Sequence, residues 1–135
     1  MILGIGIDAV AVARFARWHR FSHTQLSRLL SATEIDYCLE TPKKSAERFA
    51  ARFAAREAFF KALSSAFPDH GIPFLTVCRY FSVIKKKGVP TCHIKWDMLA
   101  LRSERCRGIN PHAHISLTHT NSDALACVVL CSRAE

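Results

Sequence analysis

Arg52-Phe-Ala-Ala-Arg-Glu-Ala-Phe-Phe-Lys-Ala-Leu63 puts a carboxylate where a core side chain belongs. At about 100° per residue, Phe49, Ala50, Phe53, Ala54 and Phe60 draw the apolar arc of a helix predicted from about Ser45 to Phe67. Glu57 falls near the centre of that arc, and Lys61 lies one turn on, toward its edge. A charge facing a core is costly unless it is paired or bound to a metal. The helix therefore either carries an ordinary Glu-to-Lys pair at i,i+4, which contributes about 0.2–0.5 kcal/mol, or opens onto a ligand.

Upstream of this helix, residues 2–7, Ile-Leu-Gly-Ile-Gly-Ile, read as a short buried strand ending at Asp8. Two glycines within a strand point to close backbone approach or a neighbouring ligand. Val10 to about Phe21 is predicted helical, with Val12, Phe15 and Trp18 or His19 on one side and Arg14, Arg17 and Arg20 spread over the rest. Ser22 is placed to cap a short helix to about Leu30, and Ser31 or Thr33 another to about Leu39. Thr41-Pro42 then breaks the chain.

Downstream, Pro68-Asp-His-Gly71 ends the long helix. Leu75 to Lys85 and Thr91 to Trp96 are predicted strands, joined through residues 86–90 by a link too long for a two-residue turn. A helix from about Met98 to Arg107, capped by Asp97, leads to two further strands, His112 to Thr120 and Ala124 to Cys131. Helices come first and strands after. This segregation predicts an α+β fold, one domain over residues 1–135, with helices packed on a mainly antiparallel sheet.

Composition bounds the function. A chain of 135 residues that is 50% hydrophobic and 22% charged has the make-up of one globular core. It contains no apolar run long enough to span a membrane, and its start lacks a basic segment and a cleavage site, so a soluble, cytoplasmic protein is expected. Six cysteines, at 38, 78, 92, 106, 127 and 131, form no Cys-x-x-Cys pair and are expected reduced. Cys127 and Cys131 would stand about 13 Å apart along a strand, too far for a disulfide. The net charge of +8 favours an acidic partner, and seven of the twelve arginines fall between Arg14 and Arg56, as a docking face would require. With no helix-turn-helix, Arg-Gly repeat or zinc finger, a nucleic-acid-binding module is the runner-up.

Asp8 and Glu57 are carboxylates at the edge of a core, and such hard oxygen ligands suit Mg²⁺ completed by a phosphate. Lys61, Arg52 and Arg56 could serve phosphates, as could the turn at Lys86-Lys87-Gly88. His112 and His114 share a strand face, but without a second cluster at zinc spacing they are not read as a metal site. His119 lies at the strand's end, where a hydrogen bond to substrate or a structural role is open to it.

Three stretches in order, Gly4-Ile-Gly-Ile-Asp8, Arg52 to Leu63 and Ile115-Ser-Leu-Thr-His-Thr120, resemble the signatures of holo-acyl-carrier-protein synthases, the small bacterial 4′-phosphopantetheinyl transferases. Gly88-Val-Pro90 stands in the place of that family's Gly-x-Pro turn, so the resemblance runs over essentially the whole chain. It implies transfer of phosphopantetheine from coenzyme A to a serine of acyl carrier protein, in support of fatty acid biosynthesis. By the same resemblance, Asp8 and Glu57 bind Mg²⁺, and Lys61 meets the diphosphate. Arg52, Gly88, Pro90, His119 and Thr120 surround coenzyme A, and Arg14 and Arg17 grip the acidic carrier. A homotrimer with active sites between subunits is implied too, with neither nucleic acid nor membrane as partner.

Loss of the serine proton needs a base, and either Glu57 or a metal-bound water fits. Three positions depart from the family pattern: Arg56 replaces Lys, Phe60 a small residue and Ser64 a glycine. A catalytically inactive carrier- or coenzyme-binding relative is the remaining alternative.

Overall fold

Gly4 and Gly6 set the central contact of the fold. The computed structural model describes residues 1–99, 101 and 107–133. Strand β1 (Ile2–Ala11) runs directly over helix α3 (Ser45–Ala66). A Cβ on Gly4 would collide with the Ala62 carbonyl oxygen, and one on Gly6 with the Ala58 carbonyl oxygen. Close backbone approach is thus why the strand carries two glycines. The helix answers with small residues: Ala51, Ala54, Ala55, Ala58 and Ala62 are buried.

β1 pairs antiparallel with β5 (Asp123–Ser132), and β5 pairs antiparallel with β4 (Pro111–His119), giving the order β1-β5-β4. Alternation points Gly4, Gly6, Asp8 and Val10, with their β5 neighbours Ala126, Val128 and Leu130, toward α3. Ile5, Ile7 and Ala9, beside Val129, Cys127 and Leu125, form the other face. β2 (Phe81–Lys86) and β3 (Val89–Ile94) make a separate two-stranded hairpin, so the antiparallel strands lie in two sheets rather than one.

Several expected boundaries move. β1 continues past Asp8 to Ala11, and the predicted helix from Val10 is replaced by two 3₁₀ turns, Val12–Phe15 and Trp18–Arg20. The apolar positions 12, 15, 18 and 21 recur every third residue, which suits a 3₁₀ period better than an α one. Phe15 and Trp18 pack with tilted rings 4.6 Å apart and nest against Phe49 and Phe53.

Ser22 and Ser31 do cap α1 (His23–Leu26) and α2 (Ala32–Glu40), each through a capping box. The predicted strand from Leu75 begins instead as α4 (Phe74–Arg79). β2 and β3 are joined by the two-residue turn Lys87-Gly88, both residues at positive φ (50° and 79°), with Lys86 opposite Val89. This is the tight hairpin geometry that right-handed strand twist favours. Of the predicted helix from Met98 to Arg107, the start is a 3₁₀ turn, Trp96–Leu99, and nearly all of the rest lies outside the described residues.

The charge at the centre of the buried face of α3 is Arg56 rather than Glu57. Arg56 is fully buried and grips Glu34 of α2 with both terminal nitrogens, at 2.8 and 2.7 Å, while donating a further bond to the Phe81 carbonyl at 2.8 Å. Glu34 also accepts from the backbone N–H groups of Ser31 and Val83. Burial pushes the Glu34 carboxyl up, but the hydrogen bond and charge of Arg56, aided by Ser31, outweigh it and hold the group below its ordinary value. Arg56 is therefore a structural residue that does not serve phosphates.

Candidate active site

Beyond the two glycines, β1 brings Asp8 down beside α3. Its Oδ1 accepts a hydrogen bond from Lys61 Nζ at 2.9 Å, and the same ammonium donates to the Ile7 carbonyl at 3.1 Å. Lys61 thus pairs with Asp8 across two elements, in place of the simple i,i+4 pair with Glu57. Asp8 Oδ2 is buried and has no partner. Glu57, half-buried one turn before Lys61, has its carboxyl pushed up by burial and next by the negative charge of Asp8, while Lys61 and Arg14 pull it back. Two carboxylates and one lysine therefore share a place with more negative charge than the ammonium satisfies. Asp8, Glu57 and Lys61 come together as the sequence predicts, and Arg14 joins them from the first 3₁₀ turn, where its guanidinium lies 5.5 Å from the Phe53 ring centre.

A second cluster is basic. Arg52, Gly88, Pro90 and His119 line one cavity of about 190 Å³ together with Tyr37, Glu47, Arg48 and Lys85. Tyr37 holds three cations: its ring lies under Arg48 at 3.9 Å, Arg52 at 4.6 Å and Lys85 at 4.8 Å, and its hydroxyl accepts from Lys85 at 2.8 Å. Arg52 Nε is buried without a partner, and His119 Nε2 meets Glu47 at 3.1 Å. Thr120 stays apart. Its Oγ accepts from the Ser122 and Asp123 N–H groups and so closes the β4–β5 turn. Arg17 is exposed between the two 3₁₀ turns.

Sequence reasoning missed Tyr37, Arg48 and Lys85. Arg48 stands four residues before Arg52 and Lys85 opposite Pro90 across the hairpin, so helical and strand spacing carried the only signal. The two clusters sit on different sides of α3: Arg52 and Lys61 are nine residues apart, which is about 13.5 Å along the axis and half a turn around it.

The sequence pattern of the 4′-phosphopantetheinyl transferase superfamily matches residues 4–124. The chain belongs to that family. A holo-[acyl-carrier-protein] synthase of Trichlorobacter lovleyi is 38% identical over 131 residues, spanning 96% of this chain and 98% of the relative. One from Chloroherpeton thalassium is 32% identical across 93% and 95% of the two chains. The crystal structure of Helicobacter pylori holo-[acyl-carrier-protein] synthase in complex with coenzyme A superposes with a TM-score of 0.67 at 29% identity, covering 94% of this chain and 99% of that one.

Two of this transferase's departures are explained by one cluster. Phe60 packs edge-on against His70 and Phe74. The Ile72 N–H donates to His70 Nδ1 at 2.8 Å, so the ring proton is on Nε2 and is donated to Ser64 Oγ at 3.0 Å. Ser64 is therefore not an activated nucleophile. Together the two residues anchor the segment that follows α3. Among the described residues no helix is long and apolar enough to cross a membrane.

Proposed function

We propose that this chain transfers the 4′-phosphopantetheine arm of coenzyme A to a serine of apo-acyl carrier protein, releasing adenosine 3′,5′-bisphosphate. The observation that carries the reading is the unpartnered, buried Asp8 Oδ2 beside a Glu57 whose carboxyl is pushed up. Such a pair can take a cation beyond Lys61. Asp8 and Glu57 are hard oxygen donors of the kind Mg²⁺ prefers, and the ion would supply charge neutralisation at the coenzyme's diphosphate. Lys61, fixed by Asp8 and the Ile7 carbonyl, presents its remaining positive charge to the same phosphates.

In the transfer, the serine oxygen forms a bond to the β-phosphorus and the bond from that phosphorus to the bridging oxygen breaks. The leaving bisphosphate carries away the bonding pair. The serine proton passes to a base, a role open to Glu57. Charge builds on oxygens as the bond breaks, so cations fixed in advance stabilise the transition state more than the ground state.

Arg52, Arg48, Lys85 and the Gly88-to-Pro90 turn hold the adenosine bisphosphate end of coenzyme A, with His119 in the same lining, while Thr120 shapes the adjoining β4–β5 turn. Because this basic cavity and the carboxylate cluster lie on different sides of α3, a complete site takes one from each of two copies. The sheet face carrying Ile5 and Ile7, 54% and 61% exposed, supplies an apolar surface for such an assembly, read here as a homotrimer. Arg14, exposed beside the carboxylates, and Arg17, exposed between the two 3₁₀ turns, receive the acidic carrier. The setting is the cytoplasm, in fatty acid biosynthesis, with neither nucleic acid nor membrane as partner.

The test is a mass measurement. Purified protein with Mg²⁺ and coenzyme A is expected to add one phosphopantetheine to an apo-carrier. An unchanged carrier mass, in a preparation that a known transferase does modify, would sink the reading.

A further inference from the structure

On the sheet face turned away from α3, His112 of β4 stands directly opposite Cys131 of β5, and His114 lies two residues along the same strand. The two imidazole rings are 5.0 Å apart and nearly perpendicular. One ligand atom from each of His112, His114 and Cys131 lies within 4.8 Å of the other two. His112 Nδ1 is buried without a hydrogen-bond partner, and a buried ring nitrogen left unmet is costly. The spacing of the sequence hid this group, because the sulfur comes from the next strand.

We propose that His112, His114 and Cys131 bind a zinc-class divalent cation, at a site separate from the Asp8 and Glu57 carboxylates. Two imidazoles and a thiolate are the ligand types that Zn²⁺ takes, and they are poor ligands for Mg²⁺. Ligand atoms around a tetrahedral zinc stand about 3.3–3.7 Å apart, so side-chain rotation of about 1 Å closes the set. His114 is exposed in the single chain and, through Val129, shares the face of Ile5, so in the proposed homotrimer the ion would sit beside the contact between copies. The fourth position is left for water.

Charge decides which ligand matters most. The Arg133 guanidinium lies near enough to His112 to oppose added positive charge. A pair of neutral imidazoles would be weak there, and the Cys131 thiolate offsets one charge of the ion. The bound ion would tie the edge strand β4 to the central strand β5. Asp8 points to the opposite face, so this site can be filled or emptied without touching the carboxylates.

The experiment titrates the reduced, chelator-treated full chain with Co²⁺. Expected are tetrahedral visible bands and a thiolate-to-cobalt charge-transfer band, saturating at one equivalent per chain, displaced by Zn²⁺ and indifferent to excess Mg²⁺. Cys131→Ser is expected to lose the charge-transfer band, and His114→Ala, an exposed position, to weaken Co²⁺ binding by at least about tenfold. Zn²⁺ is expected to raise the melting temperature of the parent chain and not that of His114→Ala, with circular dichroism confirming that both variants fold. Absence of the charge-transfer band, or its survival in folded Cys131→Ser, would overturn the proposal.

Discussion

Arg56 and Glu57 are adjacent on one helix and belong to opposite kinds of electrostatic environment. Arg56 is closed: a fork of two bonds to Glu34, a third to the Phe81 carbonyl, and no exposure, with only its Nε left unpartnered. Glu57 is open: half-buried, its carboxyl raised by burial and then by its neighbour Asp8, whose Oδ2 nothing meets. The closed pair holds α2, α3 and β2 together. The open one is strained by unbalanced negative charge, and that imbalance is what a cation and a diphosphate can relieve. Within one helix, the satisfied charge is architectural and the unsatisfied charge is available for chemistry.

The largest effect should come from breaking the closed side. Arg56→Met leaves Glu34 buried and unpaired, and is expected to cost about 3–5 kcal/mol in denaturant unfolding. Transfer per folded molecule should persist. Arg56→Lys keeps the charge but loses the fork, and is expected to cost about 1.5–3 kcal/mol. The pH dependence follows from the sign. Because Glu34 is held below its ordinary value, its contribution is present above the unfolded-state pKa and is lost as pH falls through the folded-state one. Denaturant midpoints of the parent and of Arg56→Met, measured across acid pH, should therefore differ most above that range and converge below it.

On the open side, the signs reverse. Asp8→Asn and Glu57→Gln are each expected to lower kcat/KM by at least about a hundredfold, equivalent to about 2.7 kcal/mol. Stability should move the other way. Glu57 is held above its ordinary value, so its contribution is fully present below the unfolded-state pKa and is lost as pH rises through the folded-state one. At neutral pH the ionised group opposes folding. Glu57→Gln is thus expected to raise the melting temperature of chelator-treated protein in calorimetry, and a fall would show that Glu57 is structurally satisfied after all.

This contrast also shows what could be read from the sequence. The extent of α3, the two serine caps and the β4–β5 hairpin were legible, because each rests on a local period or a capping residue. The orientation of α3 was not. Large aromatics at 49, 53 and 60 pulled the apparent centre of its apolar face toward Glu57, whereas the strand that covers the helix is a glycine strand. It demands alanines, which weigh little in a hydrophobic pattern. The true centre runs through Ala55, Ala58, Phe59 and Ala62, with Arg56 concealed beside them. Asp8, Glu57 and Lys61 were still found, since the argument for them needed only a carboxylate at a core's edge. Tyr37 and Lys85 were not, because their meeting depends on α2 and the β2–β3 hairpin converging.

Gly6→Ala tests how the glycine strand supports the open site. A Cβ there strikes the Ala58 carbonyl, and backbone cannot yield as a side chain can, so a loss of about 1–3 kcal/mol is expected. The displaced strand carries Asp8 with it. Transfer should fall even at temperatures where the variant is fully folded, and normal transfer there would mean that Asp8 is positioned independently of the close packing.

The smallest effect separates ligand contact from local structure within the basic cluster. Thr120 Oγ accepts two backbone N–H groups of the β4–β5 turn, while Lys85 lines the cavity and bonds Tyr37. Thr120→Ala is expected to cost about 0.5–1.5 kcal/mol and to leave the KM for coenzyme A unchanged. Lys85→Ala is expected to raise that KM with little loss of stability, since an exposed cation contributes little to folding. If Thr120→Ala instead raised the KM while stability held, its hydroxyl would have to leave the turn on binding, and the β4–β5 turn would belong to the open side of the molecule with Glu57.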